Sequence, residues 1–482
     1  MKKLKIFIPV TATLLSIMMI LSGCGKTNNS SGTSSATLSK TDTTITKSSD
    51  DMFSDRDFEV GYEESTATKI TISDSNSDIK ITEAGTYIIS GTASDGSITV
   101  DVPDTDKVQI VLNGVSVTSK TSAALYVKSA DKVFVTTVKD TENTLENGGT
   151  FTAIDDNNID GAVFSKSDIT FNGEGTLTLK SPSAHAVVGK DDVKFTSGTY
   201  KLSAAKHGVD ANDSIRIANA TIEITAGEDG LHSENNDDNE KGYIYIKSGT
   251  ITINAGDDGI HATTTLQIDS GTLTITAAEG LEATVIQIND GTIDIKASDD
   301  GINAAKKSTI ATPAVEINGG TVTIVMGAGD TDGVDANGNI TINGGTIDIT
   351  ANSPFDYDGT GTINGGKVIV NGSEVTTLPN QMMGGGRMGG GMKGNVMPTD
   401  PGTISDNANG NTEGAMPQSP DGQMKERPAM PDGEGSAAYG KTQRPDNSGN
   451  SAASGTKRQK PGNKTGSTSD TQTSTNEDSK SA

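Results

Sequence analysis

The chain has 482 residues and a formal net charge of −25, with 63 acidic against 38 basic residues, one cysteine and no tryptophan. Residues 1–50 hold six lysines and two aspartates, and residues 379–482 hold eleven residues of each sign, so the middle, 51–378, carries −29. A surface this acidic repels nucleic acid and anionic lipid and draws divalent cations, and a single cysteine excludes an intrachain disulfide.

In chain order, Lys2, Lys3 and Lys5 precede an apolar stretch from Ile6 to Ile20, followed by LSGC at 21–24. The stretch is short for a membrane span and has the layout of a secretory signal. A small residue pair ahead of a cysteine resembles the lipobox of bacterial lipoproteins. That resemblance implies removal of residues 1–23, a diacylglycerol on Cys24, and residence in the bacterial cell envelope outside the cytoplasm. Acylation by two or more chains suffices for stable anchoring, so the expected membrane contact is the lipid alone. Residues 24–50 are rich in Ser, Thr and Asn and are expected to form a flexible tether. From Pro379 a Gly/Met-rich run (Met382, Met383, Met388, Met392, Met397) leads into a Ser/Gly/Pro/Asn tail to Ala482, a composition that predicts disorder.

Between these ends, 51–378 reads as short runs of Val, Ile, Thr and Tyr alternating with polar residues and broken by Gly, Asp and Asn, the pattern of strands. The runs repeat. YIKSGTITI (245–253), LQIDSGTLTI (266–275), IQINDGTIDI (286–295), VEINGGTVTI (315–324) and ITINGGTIDI (340–349) superimpose without gaps. A second motif, G-[VIL]-x-[AS], follows in GDDGIHA (256–262), AEGLEA (278–283), SDDGINA (298–304) and TDGVDA (331–336), and Gly259, Gly280 and Gly301 are 21 residues apart. Three short strands in about 21 residues is the unit of a parallel β-helix. A β-sandwich array is the rival, disfavoured by the near-constant period. The alternation predicts Ile286, Ile288, Ile293, Ile295, Ile302 and Ala304 inside, with Gln287, Asp294 and Asn303 outside.

Stacking turns each repeat position into a column on one face. Asp210, His232, His261, Glu282, Asn303 and Asp335 form one. Asp229, Asp258, Glu279, Asp300 and Asp332 form another, and Glu228, Asp257 and Asp299 lie one residue earlier. Carboxylates about 4.8 Å apart repel unless neutralised, and Ca2+, which takes six to eight oxygen ligands, is the expected remedy. Solubilising turn acids are the plainer reading of any single Asp-Gly; five in register favour the metal. Two longer intervals insert SENNDDNEKG (233–242), and AKKSTIATPA (305–314) with MGAGDTDG (326–333), making Glu234, Asp237, Asp238, Asp330 and Asp332 metal or ligand candidates. Tyr243 and Tyr245 are expected to face outward as ligand contacts. His232 and His261 lie one coil apart, which makes zinc conceivable, but no cysteine or tight metal motif accompanies them.

The stretch FSDRDFEVGYEESTATKITI and the run from ITEAGTYIISG to KVFVTT (81–137), with TENTLENGG and the DDGI coils, resemble a family of exported bacterial carbohydrate-binding proteins related to pectate lyases. The resemblance implies an all-β, right-handed parallel β-helix, calcium along it, and binding of acidic plant polysaccharide such as polygalacturonate, with cellulose a second ligand and no confirmed catalysis. A monomer is expected. A −29 surface holds a polyanion only if cations bridge the two, which agrees with calcium; no row of exposed aromatics supports cellulose. Two alternatives remain. A calcium-dependent lyase needs a basic group to take the α-proton, for which Arg216 and Lys206, expected near the acidic columns, are the only obvious candidates. A surface scaffold or adhesin would use calcium structurally.

Overall fold

The computed structural model describes residues 52–328 and 331–380, all within the first of two units divided after Met392. The signal-like segment, Cys24, the 24–50 tether, Asp330 and residues 381–482 lie outside the described residues. The described chain is all-β, with thirty-four strands in one hydrogen-bonded sheet and a single four-residue helix, Asp55–Phe58. None of its helices is long and apolar enough to cross a membrane.

Almost every strand pairs in parallel with the equivalent strand one repeat away, giving three ladders. The first aligns Val193, Ile215, Ile244, Leu266, Ile286, Val315 and Ile340. The second aligns Ile222, Ile251, Leu273, Ile293, Val322 and Ile347. The third aligns Val187, Val209, Leu231, Ile260, Leu281, Ile302, Val334 and Phe355. Strands Lys367–Val370 and Ser373–Val375 pair antiparallel at the C-terminal end. The alternation explains the arrangement: in Thr272–Ala277 the threonines are exposed while Leu273 and Ile275 are buried. Apolar residues from all three ladders join one continuous core from Ile72 to Leu378. Ile286, Ile288, Ile293, Ile302 and Ala304 are wholly buried, as the alternation requires. Gln287 also points away from the core but is only 5% exposed, because neighbours in its column, Glu316 among them, cover it.

The recurring glycine of the third ladder has a packing cause. A Cβ on Gly259 would lie 2.6 Å from the carbonyl oxygen of Gly280, and one on Gly280 would lie 2.3 Å from that of Gly301. Only hydrogen fits between successive coils at this corner, so the acids preceding each glycine stack at the tightest spacing the backbone allows.

Residues 52–61 run across the outer side of the first ladder as a strap. Asp57 is fully buried there, 2.6 Å from Lys132 Nζ and 3.9 Å from Lys194 Nζ, and accepts a hydrogen bond from Thr170. Burial raises its pKa, but the hydrogen bond and charge of Lys132, with the charge of Lys194, outweigh this and hold it at about 2. The Met52 carbonyl accepts from Arg216, and the Gly61 carbonyl accepts from Gln109. Phe53 tilts onto Tyr245, with ring centroids 6.1 Å apart, and Met52 packs against both Tyr243 and Tyr245.

Candidate metal-binding site

The third ladder brings the expected columns into register. Asp210 pairs with His232, then His261, Glu282, Asn303 and Asp335, and the column continues to Asp356. Beside it, Asp258 pairs with Glu279 and Asp300 with Asp332, while the Asp258 amide donates to Asp229 Oδ1 at 2.9 Å. Three groups of ligand atoms here converge within 4.8 Å: His207, Asp229 and His232; Asp229, Asp258 and His261; and Asp258, Glu279 and Glu282. Asp229, Asp258 and Glu282 are buried, and Asp210, Glu279, Asp300, Asp332 and Asp335 are half-buried.

This crowding leaves its mark on the titration of the acids. Burial, and then the charges of Asp229, Glu279 and Glu282, push Asp258 up to about 7 despite its hydrogen bond from His261. Burial with Glu282, Asp300 and Asp299 takes Glu279 to about 7. Burial with Asp335, Asp332 and Asp299 does the same for Asp300. Asp335 rises to about 6 through burial and the charges of Asp332 and Asp356. Glu282 goes the other way: burial is outweighed by His261 at 3.0 Å and Lys307 at 2.7 Å, which hold it at about 2. Asp258 and Glu282 in turn outweigh the burial of His261 and keep it protonated, up to about 10. One imidazolium and one lysine therefore face a much larger set of acids.

Two orphaned oxygens test whether a hard cation suits the remainder. Asn303 Nδ2 donates to Glu279 at 2.9 Å, which fixes the amide, yet its Oδ1 is buried and accepts nothing. Asp356 Oδ1 is likewise buried and without a partner. Buried acceptors without donors are costly, and an oxygen-only set that includes carboxylates and an amide carbonyl is the donor chemistry of calcium. The residues fit that ion.

Not every expected residue joins the site. Asp257 and Asp299 are exposed at the outer edge of the turns. Asp237 and Asp238 bond within their own insertion, their amides donating to Asn235 Oδ1, whereas Glu234 of the same insertion lies 3.8 Å from His232 Nε2. Asp330 and Cys24 fall outside the described residues. Tyr243 and Tyr245 do point away from the core, but the strap covers them to 7% and 1% exposure, so they offer no ligand platform. Arg216 belongs to the first ladder and not beside the acidic columns: its guanidinium is 2.7 Å from Asp192 and is held under Met52. Lys206 stays beside the columns, immediately before His207, and is half-buried.

Three residues escaped the sequence reading. His207 precedes Gly208 as Asp229 precedes Gly230, and His185 occupies the matching place one coil earlier, as the Val187–Val209 pairing shows. Both stand in the second column, with imidazole in place of carboxylate. The residue before the conserved-looking small position was the available signal. Asp356 sits in SPFDY, where Pro354 and Phe355 replace the usual Gly and aliphatic residue, so the motif did not reveal it. Outside the columns, Asp168, Asp191 and Asp192 also converge within 4.8 Å. There Lys132, Lys194 and Arg216 supply the counter-charge of Asp168 and Asp192, while burial and the neighbouring Asp213 push Asp191 up to about 7.

A stack of parallel strands with columns of acids in register along one ladder defines a repetitive all-β protein with an acidic face. A family profile described as carbohydrate-binding domain-containing protein matches residues 75–328 and again 282–377, and the chain belongs to that family. A relative named carbohydrate-binding domain-containing protein, from Acetivibrio thermocellus, is 37% identical over 174 residues, covering 36% of this chain and 61% of the relative. The match thus spans about three fifths of that relative's length. The solved structure of a polysaccharide lyase-like protein from C. thermocellum, a gadolinium derivative, is 30% identical, covers 47% of this chain and 93% of its own, and superposes with a TM-score of 0.42.

Proposed function

We propose that this protein is a non-catalytic carbohydrate-binding lipoprotein that holds acidic polysaccharide of the polygalacturonate kind through calcium. In this reading the three ladders close into a right-handed parallel β-helix. Asp229, Asp258, Glu279, Glu282, Asp300, Asp332, Asp335 and Asp356 hold the ions, with Asn303 Oδ1 among the ligands. Bound calcium supplies the positive charge that lets an acidic surface meet a uronate carboxylate. Cys24 carries the lipid anchor that keeps the protein in the cell envelope, and the protein acts as a monomer.

The observation that carries the reading is the pair of buried, partnerless oxygens on Asn303 and Asp356, set in a column whose acids the chain's own cations do not balance. Membership of a carbohydrate-binding family supports the ligand class. The flat, aromatic row that cellulose would call for is absent from the exposed faces of the described residues. The lyase alternative loses Arg216 to its ion pair with Asp192.

The test applies the full chain to immobilised polygalacturonate with calcium and with chelator, and measures unsaturated product in the same samples. Retention that needs calcium, without product, is the expected result. Product formation would make the protein a lyase, and absence of retention in both conditions would leave the columns a purely structural metal store.

A further inference from the structure

The insertions at 233–242 and 305–314 interrupt different coils, yet the fold brings them together: Asn239 Nδ2 donates to Thr309 Oγ1 at 2.9 Å, 70 residues apart in sequence. Each is also held at its root by a buried threonine. Thr284 Oγ1 accepts the amides of Lys307 and Ser308, at 3.2 and 2.9 Å, and donates to the Thr263 carbonyl. Thr263 Oγ1 accepts the Asn235 amide at 3.2 Å. Both threonines are almost wholly buried. The two loops are therefore tied to the stack and to each other, which is the support a preformed binding site on connecting segments needs.

The second insertion borders a cleft of about 540 Å3, lined by Lys306, Thr309, Ala311, Thr312, Pro313 and Asn337, a volume within the ordinary range of small-ligand sites. Its buried member, Pro313, is pressed against the next coil. The Asn339 amide donates to the Pro313 carbonyl at 3.3 Å, and a Cβ on Gly338 would fall 1.8 Å from that oxygen. The lining is amphipathic, as a sugar ring is. Ala311 and Pro313 offer carbon surface, while Thr309, Thr312 and Asn337 offer hydrogen-bond donors and acceptors. Thr309 accepts from Asn239 and so keeps its own hydroxyl proton to donate. Lys306 supplies the one charge. Its neighbour Lys307 is taken by Glu282 at 2.7 Å, whereas Lys306 is exposed and has no ion pair or hydrogen bond with any described residue. On a molecule with so large an excess of acids, a cation left unpaired in a cleft points to an anion from outside. The cleft also adjoins the acidic column: Asn337 follows Asp335 by two residues and Lys306 follows Asn303 by three. At full extension those steps reach no more than roughly 7 and 11 Å.

We propose that this cleft is a subsite for one uronate unit of the polysaccharide, its carboxylate taken directly by Lys306 Nζ while neighbouring units reach the column through calcium. The subsite rests on the acidic-polysaccharide reading and adds to it a contact that needs no metal. Neutral and acidic sugars share the hydroxyl and carbon contacts that Thr309, Thr312, Asn337, Ala311 and Pro313 provide. Lys306 is thus the residue that favours a uronate over its neutral counterpart, and the lysine ammonium, a compact charge on a flexible stem, can follow the carboxylate as the chain settles.

To test it, the full chain, with calcium present throughout, is titrated with a short oligogalacturonate by calorimetry. In parallel its lysines are acetylated with and without that oligomer and read by mass spectrometry. The oligomer is expected to protect Lys306 and not Lys296, which is exposed on the second ladder. Lys306→Gln is expected to weaken binding about fivefold, the range of a solvent-exposed ion pair. Lys306→Arg keeps the parental affinity, and so does Lys296→Gln, the same change of charge elsewhere. An unprotected Lys306, parental affinity in Lys306→Gln, or equal losses in Lys306→Gln and Lys296→Gln would overturn the subsite, and binding by the parent would leave the acidic-polysaccharide reading standing. A parent chain that binds no oligomer sinks that reading and the subsite with it.

Discussion

Two regions of the molecule gather acids, and they resolve the resulting repulsion in opposite ways. Under the strap, Asp57, Asp168 and Asp192 meet Lys132, Lys194 and Arg216 at distances from 2.6 to 4.0 Å. On the third ladder, Asp258, Glu279, Glu282, Asp300, Asp332 and Asp335 have one histidine, beside Asp258 and Glu282, and one lysine, beside Glu282, and three of these acids titrate near neutral pH. The same fold therefore contains a closed charge network and an open one. Acids that the chain balances from its own sequence serve the structure, whereas acids it leaves in excess define a demand for something from outside.

The comparison breaks most readily at the closed network. Asp57→Ala removes the fully buried acid that Lys132 meets at 2.6 Å and leaves both lysines only their longer contacts to Asp168 and Asp192. Removal of one member of a buried pair costs about 3–5 kcal/mol, and denaturant unfolding monitored with and without calcium is expected to show the same loss in both. The open network should behave in the reverse manner. Chelator is expected to lower the unfolding temperature of the parent chain, since a ligand at about a hundred times its Kd stabilises by about 2.7 kcal/mol, and an unchanged temperature would show that the columns bind no calcium.

A smaller effect sharpens the contrast through pH. Asp258, Glu279 and Asp300 hold protons up to about 7 in the fold, above their ordinary values, so the folded chain binds more protons than the unfolded one across that range. Stability of the metal-free protein must then fall as pH rises through 7. His185 and His207, whose burial holds them below the usual histidine value, act in the opposite sense at lower pH. The window from about pH 6.5 to 8 lies above them. Asp191, also pushed up to about 7 but outside the columns, adds a slope there that calcium leaves in place, and calcium is expected to flatten the remainder. Smallest of all is Asp300→Asn, which removes one repelling charge: a modest gain in unfolding temperature without calcium, turning into a loss with it. A loss in both conditions would mean that Asp300 is needed for packing and not for metal.

Much of this was legible before any coordinates. The G-[VIL]-x-[AS] spacing placed Asp210, His232, His261, Glu282, Asn303 and Asp335 in one column, because a fixed period and strand alternation determine both the coil and the face. What escaped depends on contacts that carry no period. Tyr243 and Tyr245 alternate like surface residues and do point away from the core, but the strap that covers them comes from residues 52–61, far away in sequence and outside the repeat. Arg216 was placed with the acidic columns through its nearness in sequence to Asp210, although one strand of separation moves it to another ladder. His207 shows the converse: it stands in the column, but an imidazole in a carboxylate position broke the pattern by which the column was recognised.

The strap has a mechanical consequence. Met52, the first described residue, meets the stack at the coil of Arg216 and Tyr243, while the strap ends at Gly61 beside Gln109, toward the first coils. Tension arriving along the N-terminal segment would thus reach the protein at its flank and act across the strands. The contacts would yield one after another, the Met52 carbonyl and the Phe53 ring first, until the load came to rest on Asp57 and its two lysines.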